Sequence, residues 1–519
     1  MKSMICQAQD KGITQFVAIL AALWVLLATG CSPNLTAEDR RADVGFLARW
    51  AKDYSPFVQL NEKHKGLPGC EDIQPKYLRL AEQAQSNKEF LHIVFGYFNL
   101  IGESGHGYMP MEVQLLAGML GLAEHPGISA TAFCKAMYWS KLLYKESFVH
   151  PPFRVVHREG KYFTGNAWRY KGIDVPRGSE IINVNGMTCS SYLDSIQQNT
   201  WLRYVAGNVT WITRYLLVID EGKDFRGWQV DFLIPDRTTR RTFVPKKKGL
   251  ALPALRTSYW LKGKRNCVCL ELEDDVGYVR VHSFAGFGKF IERDRRKIKK
   301  FLERSEGKYA KLIIDIRNNS GGGTYYWAEN LVRPFLDHAV TYKQITGIKR
   351  KFISDTKQSD LKWLRGGASV YGYETQIEET EVPPGFGAKE WVFYEITRRL
   401  EPSNRYDFSG DIYVLINGGT FSAADDFADA IKRIGMATLV GQNTRGGGTA
   451  YFNPVIVRLP VSGMMFILEA DLLISPDGTF NELVGTKPDI ELPACDLPES
   501  VTRENLLKDE WIKTIIDDM

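Results

Sequence analysis

The chain has 519 residues and a net charge of +5, with 44% of its residues hydrophobic and 24% charged. A length of this order exceeds what one hydrophobic core supports, so roughly two to four domains are expected. The charge is too small for the basic stripe of a nucleic-acid binder, and Lys246-Lys247-Lys248 reads as a solvated turn, so a nucleic-acid partner is excluded.

Lys2 and Lys11 give the amino terminus a positive flank despite Asp10. Every residue from Phe16 to Ala28 is apolar, and no charge falls between Lys11 and Glu38. This is the pattern of a bacterial export signal. Its end, Leu27-Ala28-Thr29-Gly30-Cys31, resembles a lipoprotein signal site, with Ala28 where Leu is more usual. The resemblance implies that residues 1–30 are removed and that Cys31 is lipidated as the mature amino terminus. It places the body on the periplasmic side of the cell envelope, tethered to a membrane, and Ser32 points to the outer one. An uncleaved anchor helix is the alternative reading of so short an apolar run. The other cysteines that follow, Cys70, Cys134, Cys189, Cys267, Cys269 and Cys495, are scattered. Cys267-Val268-Cys269 is too tight for the usual zinc spacing and no HExxH is present, so neither a metal nor another cofactor is expected.

After the linker at Pro33 and Asn34, Thr36 with Asp39 three residues on marks a helix start. Residues 31–149 read as a helical region, with Phe46, Leu47 and Trp50 on one face and Phe90, Ile93, Val94 and Tyr97 on another. Composition shifts at His150-Pro151-Pro152 to β-branched and aromatic runs separated by turn signals, which defines a β module over 150–254. Within it, the run from Val175 to Gly186 resembles part of a PDZ domain, with Asn185-Gly186 as a tight hairpin turn and a helix after Met187. A plain hairpin in a small β domain is the simpler reading. From 255 to 500 strands alternate with helices: strands at Val276 to Val281, Lys311 to Ile316, Ile412 to Ile416 and Thr438 to Val440, and helices at Phe290 to Phe301, Ala328 to Leu336 and Ser422 to Ile434. The charged stretch from 350 to 410 reads as an insertion or lid, and 501–519 as a C-terminal tail.

Two strands end in turns suited to chemistry. The first runs from Leu312 through Asp315 and Arg317 into Gly321-Gly322-Gly323, where backbone N–H groups are free to bind an oxyanion. A phosphate loop is excluded because Gly-x4-Gly-Lys-Ser/Thr is absent. The second runs from Ile412 into Thr420-Phe421-Ser422-Ala423-Ala424, with Ser422 at the start of a helix. Taken alone, Ser422 followed by Asp425 reads as an ordinary helix N-cap.

Together the two runs resemble the Asp-hydrophobic-Arg-x-Asn-x-Gly-Gly and Thr-x-Ser-Ala-Ala signatures of the carboxyl-terminal processing, or tail-specific, serine proteases, which include the tricorn core protease. Gly441-Gln442-Asn443-Thr444-Arg445-Gly446 and Glu482-Leu483-Val484-Gly485-Thr486-Lys487-Pro488-Asp489 match two further segments of that family in the same order. The resemblance implies a multidomain α/β protein with a crotonase/ClpP-like protease core, and Ser422 as the nucleophile. It implies an oxyanion hole from the Ala423 N–H and one from Gly321 or Gly322. Asp315 and Arg317 read as braces of the turn.

Many tail-specific members carry a lysine base where this chain has Gly447, and no lysine occurs from Gly441 to Tyr451. Serine needs a base near neutral pH. The tricorn-like branch resembles the chain at Glu103-Ser104-Gly105-His106-Gly107-Tyr108, which implies His106 as the general base and Glu482 as the carboxylate that orients it. His282 is the second candidate base. The expected activity is endopeptidase cleavage of a protein or peptide substrate through an acyl-enzyme. The rival is a non-catalytic protein on the same fold that binds a peptide or hydrophobic ligand.

Overall fold

A computed structural model describes the chain from Ser32 to Met519, except residues 59, 61, 63–68, 102–108, 110–129, 145–147, 159, 197–202, 206–209, 213–217, 220–224, 249–265, 286–288, 356–373, 448–454, 475–477, 494, 496 and 499. The export signal, Cys31 and His106 lie outside the described residues. Among the described residues no helix is long and apolar enough to cross a membrane.

The N-terminal helices form where the periodicity puts them. Helix α1 (Ala37–Tyr54) starts at Thr36, whose hydroxyl accepts the Asp39 N–H at 3.1 Å while the Asp39 carboxylate accepts the Thr36 N–H at 2.8 Å. This reciprocal cap satisfies donors that a first helical turn otherwise leaves orphaned. Helices α2 (Cys70–Gln83), α3 (Asn87–Ile101) and α4 (Ala130–Tyr144) follow. Leu47 of α1 and Phe90, Val94 and Tyr97 of α3 are fully buried, as their places on the apolar faces of these two helices require. The region is clasped to a distant hairpin of strands Val455–Arg458 and Met465–Leu468. Buried Asp43 accepts the N–H groups of Val461 at 2.9 Å and Ser462 at 2.8 Å, and the Trp139 indole donates to the Ser462 carbonyl at 2.9 Å.

The β module contains β1 (Val155–Arg158), β2 (Lys161–Thr164), β3 (Glu180–Val184), β4 (Met187–Thr188), helix α5 (Cys189–Ser195), β5 (Gly227–Leu233) and β6 (Thr239–Pro245). They form an antiparallel sheet in the order β6-β5-β3-β2-β1, with β4 paired to β3. The expected turn joins β3 to β4: Asn185 (φ +52°) and Gly186 (φ +82°) both have positive φ and leave Val184 opposite Met187. That is the combination a two-residue hairpin of the favoured twist needs.

The α/β core is built from β7 (Cys267–Glu273), β8 (Val276–Val281), α6 (Lys289–Glu303), β9 (Lys311–Asp315), β10 (Val340–Lys349), β11 (Glu374–Thr380), β12 (Trp391–Leu400), β13 (Asp411–Ile416), α7 (Ala423–Ile434), β14 (Thr438–Gly441), β15 (Asp471–Ile474), β16 (Ile490–Glu491) and α8 (Glu510–Asp518). One sheet has the order β7-β8-β9-β13-β14-β16, antiparallel between β7 and β8 and parallel thereafter. Its central strands are buried on both faces, which is why Leu312-Ile313-Ile314 and Val414-Leu415-Ile416 are unbroken apolar runs. Helices α6 and α7 cover one face. Trp511, Ile512 and Ile515 of α8 pack on the other, against Tyr278, Ile313 and Leu415. The stretch 501–519, read from sequence as a tail, is therefore a layer of this core.

Two expectations change. The segment 350–410 does not stand apart as an insertion: β11 and β12 join β10 and β15 in a second, antiparallel sheet of order β11-β12-β10-β15. Trp391 and Phe393 of β12 pack with Phe57 and Leu472, while Val392 and Ile396 pack with Ile348 and Ala470. The helix expected from Ala328 to Leu336 is a π-helical turn, Ala328–Val332, followed by a 3-10 turn, Arg333–Phe335. Pro334 lacks the N–H that a regular continuation would use.

Candidate active site

Asp315 pairs with Leu415 across parallel β9 and β13, so the turns that follow both strands leave the sheet at the same edge. In open α/β sheets this is where ligand sites form. The two turns are stitched together: Phe421 N–H donates to Asn319 O at 3.0 Å, Asn318 N–H to Asn417 Oδ1 at 2.8 Å, and the Thr420 hydroxyl to Ile316 O at 3.1 Å.

Ser422 stands on the second turn with φ +59° and ψ −134°. A positive φ at a non-glycine residue costs on the order of 1–3 kcal/mol and persists only where surrounding structure enforces it. Here the Ser422 N–H donates to Gly446 O at 3.2 Å, and its carbonyl accepts the N–H groups of Asp425 at 2.7 Å and Asp426 at 3.0 Å. Its side chain makes no capping hydrogen bond. The local reading of Ser422 as an N-cap serine therefore fails at the hydroxyl. What remains is a half-buried hydroxyl on a strained strand-to-helix turn, the form of a nucleophile elbow.

The Gly-rich turn lies against it. Gly321 has φ +88°, and a Cβ there would fall 2.7 Å from Ser422 Cβ and 2.9 Å from Ala423 N. Its own N–H donates to Asn319 Oδ1 at 2.9 Å, so Gly321 is not an open donor. Gly322 (φ +145°) is held against Phe284 and Ala285, where a Cβ would meet Ala285 N at 2.1 Å. The N–H groups of Gly322 and Ala423 have no acceptor among the described residues. Of these two glycines, Gly322 is thus the one whose N–H lacks an acceptor among the described residues, and Gly321 provides close approach.

Glu482 belongs to a helical turn, Asn481–Val484. It reaches the Ser422 neighbourhood through Gly446 (φ +76°), where a Cβ would lie 2.1 Å from Asn481 O and 3.2 Å from Glu482 Cα. Glu482 is half-buried as a residue, but its carboxylate end is enclosed. Oε1 accepts the Leu473 N–H at 3.2 Å, and Oε2 is buried with no hydrogen-bond partner among the described residues. Burial, reinforced by the charges of Glu469 and Asp471, pushes its pKa well above the ordinary carboxylate range. Gly447, where a lysine would stand in the other branch, has φ +70°. His282 follows β8 directly; its N–H donates to Asn266 O at 3.0 Å and its Nδ1 meets Arg280 Nε at 3.5 Å.

Asp315 and Arg317 are braces in the literal sense. Buried Asp315 accepts from Arg317 Nη2 at 2.7 Å, from the Tyr278 hydroxyl at 2.8 Å, and from Arg280. Burial alone would raise the Asp315 pKa, but the Arg280 and Arg317 guanidiniums hold it well below the usual range. Arg317 also donates to Asp509 at 2.9 Å and lies over the Trp511 ring, 5.3 Å from its centroid. Sequence reasoning missed Asp509 and Arg280 here, because neither falls in a motif.

Residues 275–492 match the model of peptidase family S41. That span, under half of the chain, is similar to the S41 peptidase domain. The S41 domain is a serine peptidase domain, and it spans β8 to β16 with both turns. A protein of Chlamydia trachomatis serovar D is 28% identical over 213 residues, covering 35% of this chain and 34% of that protein. An uncharacterized protein of Chlamydia muridarum is 27% identical over 251 residues, covering 42% and 38%. The chain thus spans little more than a third of the length of these relatives. The structure of mature CPAF complexed with lactacystin superposes with a TM-score of 0.56 at 15% identity, over 93% of this chain and 98% of that one. At that identity the likeness is one of fold.

Proposed function

We propose that the protein is an exported, membrane-tethered serine endopeptidase that hydrolyses peptide bonds through an acyl-enzyme. Ser422 attacks the scissile carbonyl, and His106 takes its proton and returns it to the leaving amine. Glu482 orients the imidazole, which places the chain in the Ser-His-Glu branch of the family. The N–H groups of Ala423 and Gly322 receive the oxyanion. No cofactor takes part. The core is of the crotonase/ClpP kind. The module at 150–254 is PDZ-like and takes the substrate's C-terminal end by strand addition; the Asn185-Gly186 hairpin and the helix after it support this assignment. Lipid on Cys31 tethers the whole to the outer membrane.

One observation carries the reading: Ser422 sits in a strained backbone conformation with its hydroxyl released from helix capping. Labelling by a fluorophosphonate probe tests it. Wild type should label, while Ser422→Ala should not, and His106→Ala and Glu482→Ala should label much more slowly. Absence of wild-type labelling would favour the rival, a binding protein on the same fold. Mass spectrometry of the mature amino terminus tests the lipid on Cys31.

A further inference from the structure

Asp425 stands at the third position of α7, one turn beyond Ser422, and is fully buried. In a capping box its carboxylate would reach back to the Ser422 N–H. That N–H goes instead to Gly446 O, and the Asp425 carboxylate turns towards two other loops. Oδ1 accepts the Thr444 hydroxyl, the Thr486 hydroxyl at 2.8 Å and the Thr486 N–H at 3.2 Å. The two threonines are themselves joined: Thr486 N–H donates to Thr444 Oγ1 at 2.7 Å, and Thr444 N–H to Thr486 O at 3.1 Å. Gly485 lets them meet, since a Cβ there would lie 2.2 Å from Thr444 O.

These contacts join the segments that matter to the site. Thr444 is two residues from Gly446, whose carbonyl holds the Ser422 N–H. Thr486 is four residues from Glu482. We propose that Asp425 is a positioning residue whose Oδ1 fixes the Ser422 elbow, the Gly446 turn and the Glu482 turn in one register, acting as a hydrogen-bond acceptor rather than as a charge. The proposal rests on the reading of Ser422 as the nucleophile.

The surroundings fit an acceptor role. No ion pair involves Asp425 among the described residues, and its buried Oδ2 has only the neutral side-chain amide of Asn481 near it, without a well-formed hydrogen bond. An isolated charge in such a place is costly. Burial raises the Asp425 pKa to about 6, although the Thr444 and Thr486 donors oppose it. An amide oxygen in place of Oδ1 would accept from the same three donors.

The test compares Asp425→Ala, Asp425→Asn and Thr444→Val with wild type in the full chain. Fluorophosphonate labelling is resolved into the probe's binding constant and its maximal inactivation rate. Misplacing a reacting group by about 1 Å is sufficient for a hundredfold loss, so Asp425→Ala should lower the maximal rate by at least tenfold at unchanged probe binding. Asp425→Asn should recover to within about threefold of wild type, and Thr444→Val, which keeps the fold less perturbed, should fall between. Amide hydrogen exchange over 441–447 and 481–487 is read in parallel and should quicken in Asp425→Ala and Thr444→Val. A maximal rate in Asp425→Ala within threefold of wild type overturns the proposal. So does an Asp425→Asn variant as slow as Asp425→Ala. If wild type does not label, the nucleophile reading fails, and the exchange readout still decides the Asp425 tie: unchanged protection in Asp425→Ala overturns it.

Discussion

Gly321 and Ser422 approach so closely that a single added methyl on Gly321 would fall 2.7 Å from Ser422 Cβ. Residues a hundred positions apart in the chain therefore share one small volume. Gly321→Ala should displace the elbow or the turn, and the φ of +88° adds strain. We expect fluorophosphonate labelling to slow by about a hundredfold, the scale of losing one oxyanion donor. The labelling rate, read beside the melting temperature, checks this.

The Ser-His-Glu assignment sets a pH profile. An imidazole acts as base only when neutral, and its ordinary pKa is about 6.5. Labelling of Ser422 should therefore rise through that region and fall about tenfold per unit below it. A rate that follows a group near the lysine range would point to another base. Labelling rates from pH 5 to pH 9 decide between them.

Asp425 and Glu482 both have raised pKa values, Asp425 at about 6. An acid that binds its proton more tightly when folded stabilises the fold fully below its unfolded pKa. That contribution is lost as pH rises through the folded value. For Asp425 the window runs from about pH 4 to pH 6. Asp425→Asn should flatten the decline in stability across this window relative to wild type. Urea unfolding at pH 4.5, 6 and 7.5 measures the difference.

Arg317 is wholly buried between Asp315 and Asp509. Arg317→Met would leave Asp509 buried without its guanidinium. Breaking a buried pair by removing one partner costs roughly 3–5 kcal/mol. The urea midpoint should drop accordingly, and amide exchange in α8 should quicken.

Asp43 supplies both acceptors for the Val461 and Ser462 N–H groups. Asp43→Ala leaves two donors unmet, at about 1–3 kcal/mol each where they remain buried. Limited proteolysis should then cut between the N-terminal helices and the core sooner than in wild type.

The parts of the fold that local rules govern were legible in the sequence. The capping box at Thr36, the Asn185-Gly186 turn and the apolar runs of β9 and β13 each carry their cause within a few residues. What was not legible depends on distant partners. The segment from 350 to 410 reads as polar because its charged residues mask β12, whose Trp391 and Phe393 find cover on elements far away in the chain. Residues 501–519 look like a tail until Trp511 meets the sheet. The site shows the same division. Ser422 with Asp425 spells a cap locally, and only the contacts of Asp425 with Thr444 and Thr486 reveal that the carboxylate serves elsewhere. The Gly321 N–H looked available because its acceptor, Asn319 Oδ1, lies in the same turn and its side-chain direction is not encoded in the motif.

The clasp between Arg317 and Asp509 also has a bearing on biosynthesis. The strand that leads into the Gly-rich turn, and the serine elbow beside it, leave the ribosome before Asp509, the second carboxylate on Arg317, and the indole that covers it. A nascent chain thus holds both turns with an incomplete support beneath them. Arg317 gains its full set of partners only when α8, beyond the last strand of the sheet, has docked.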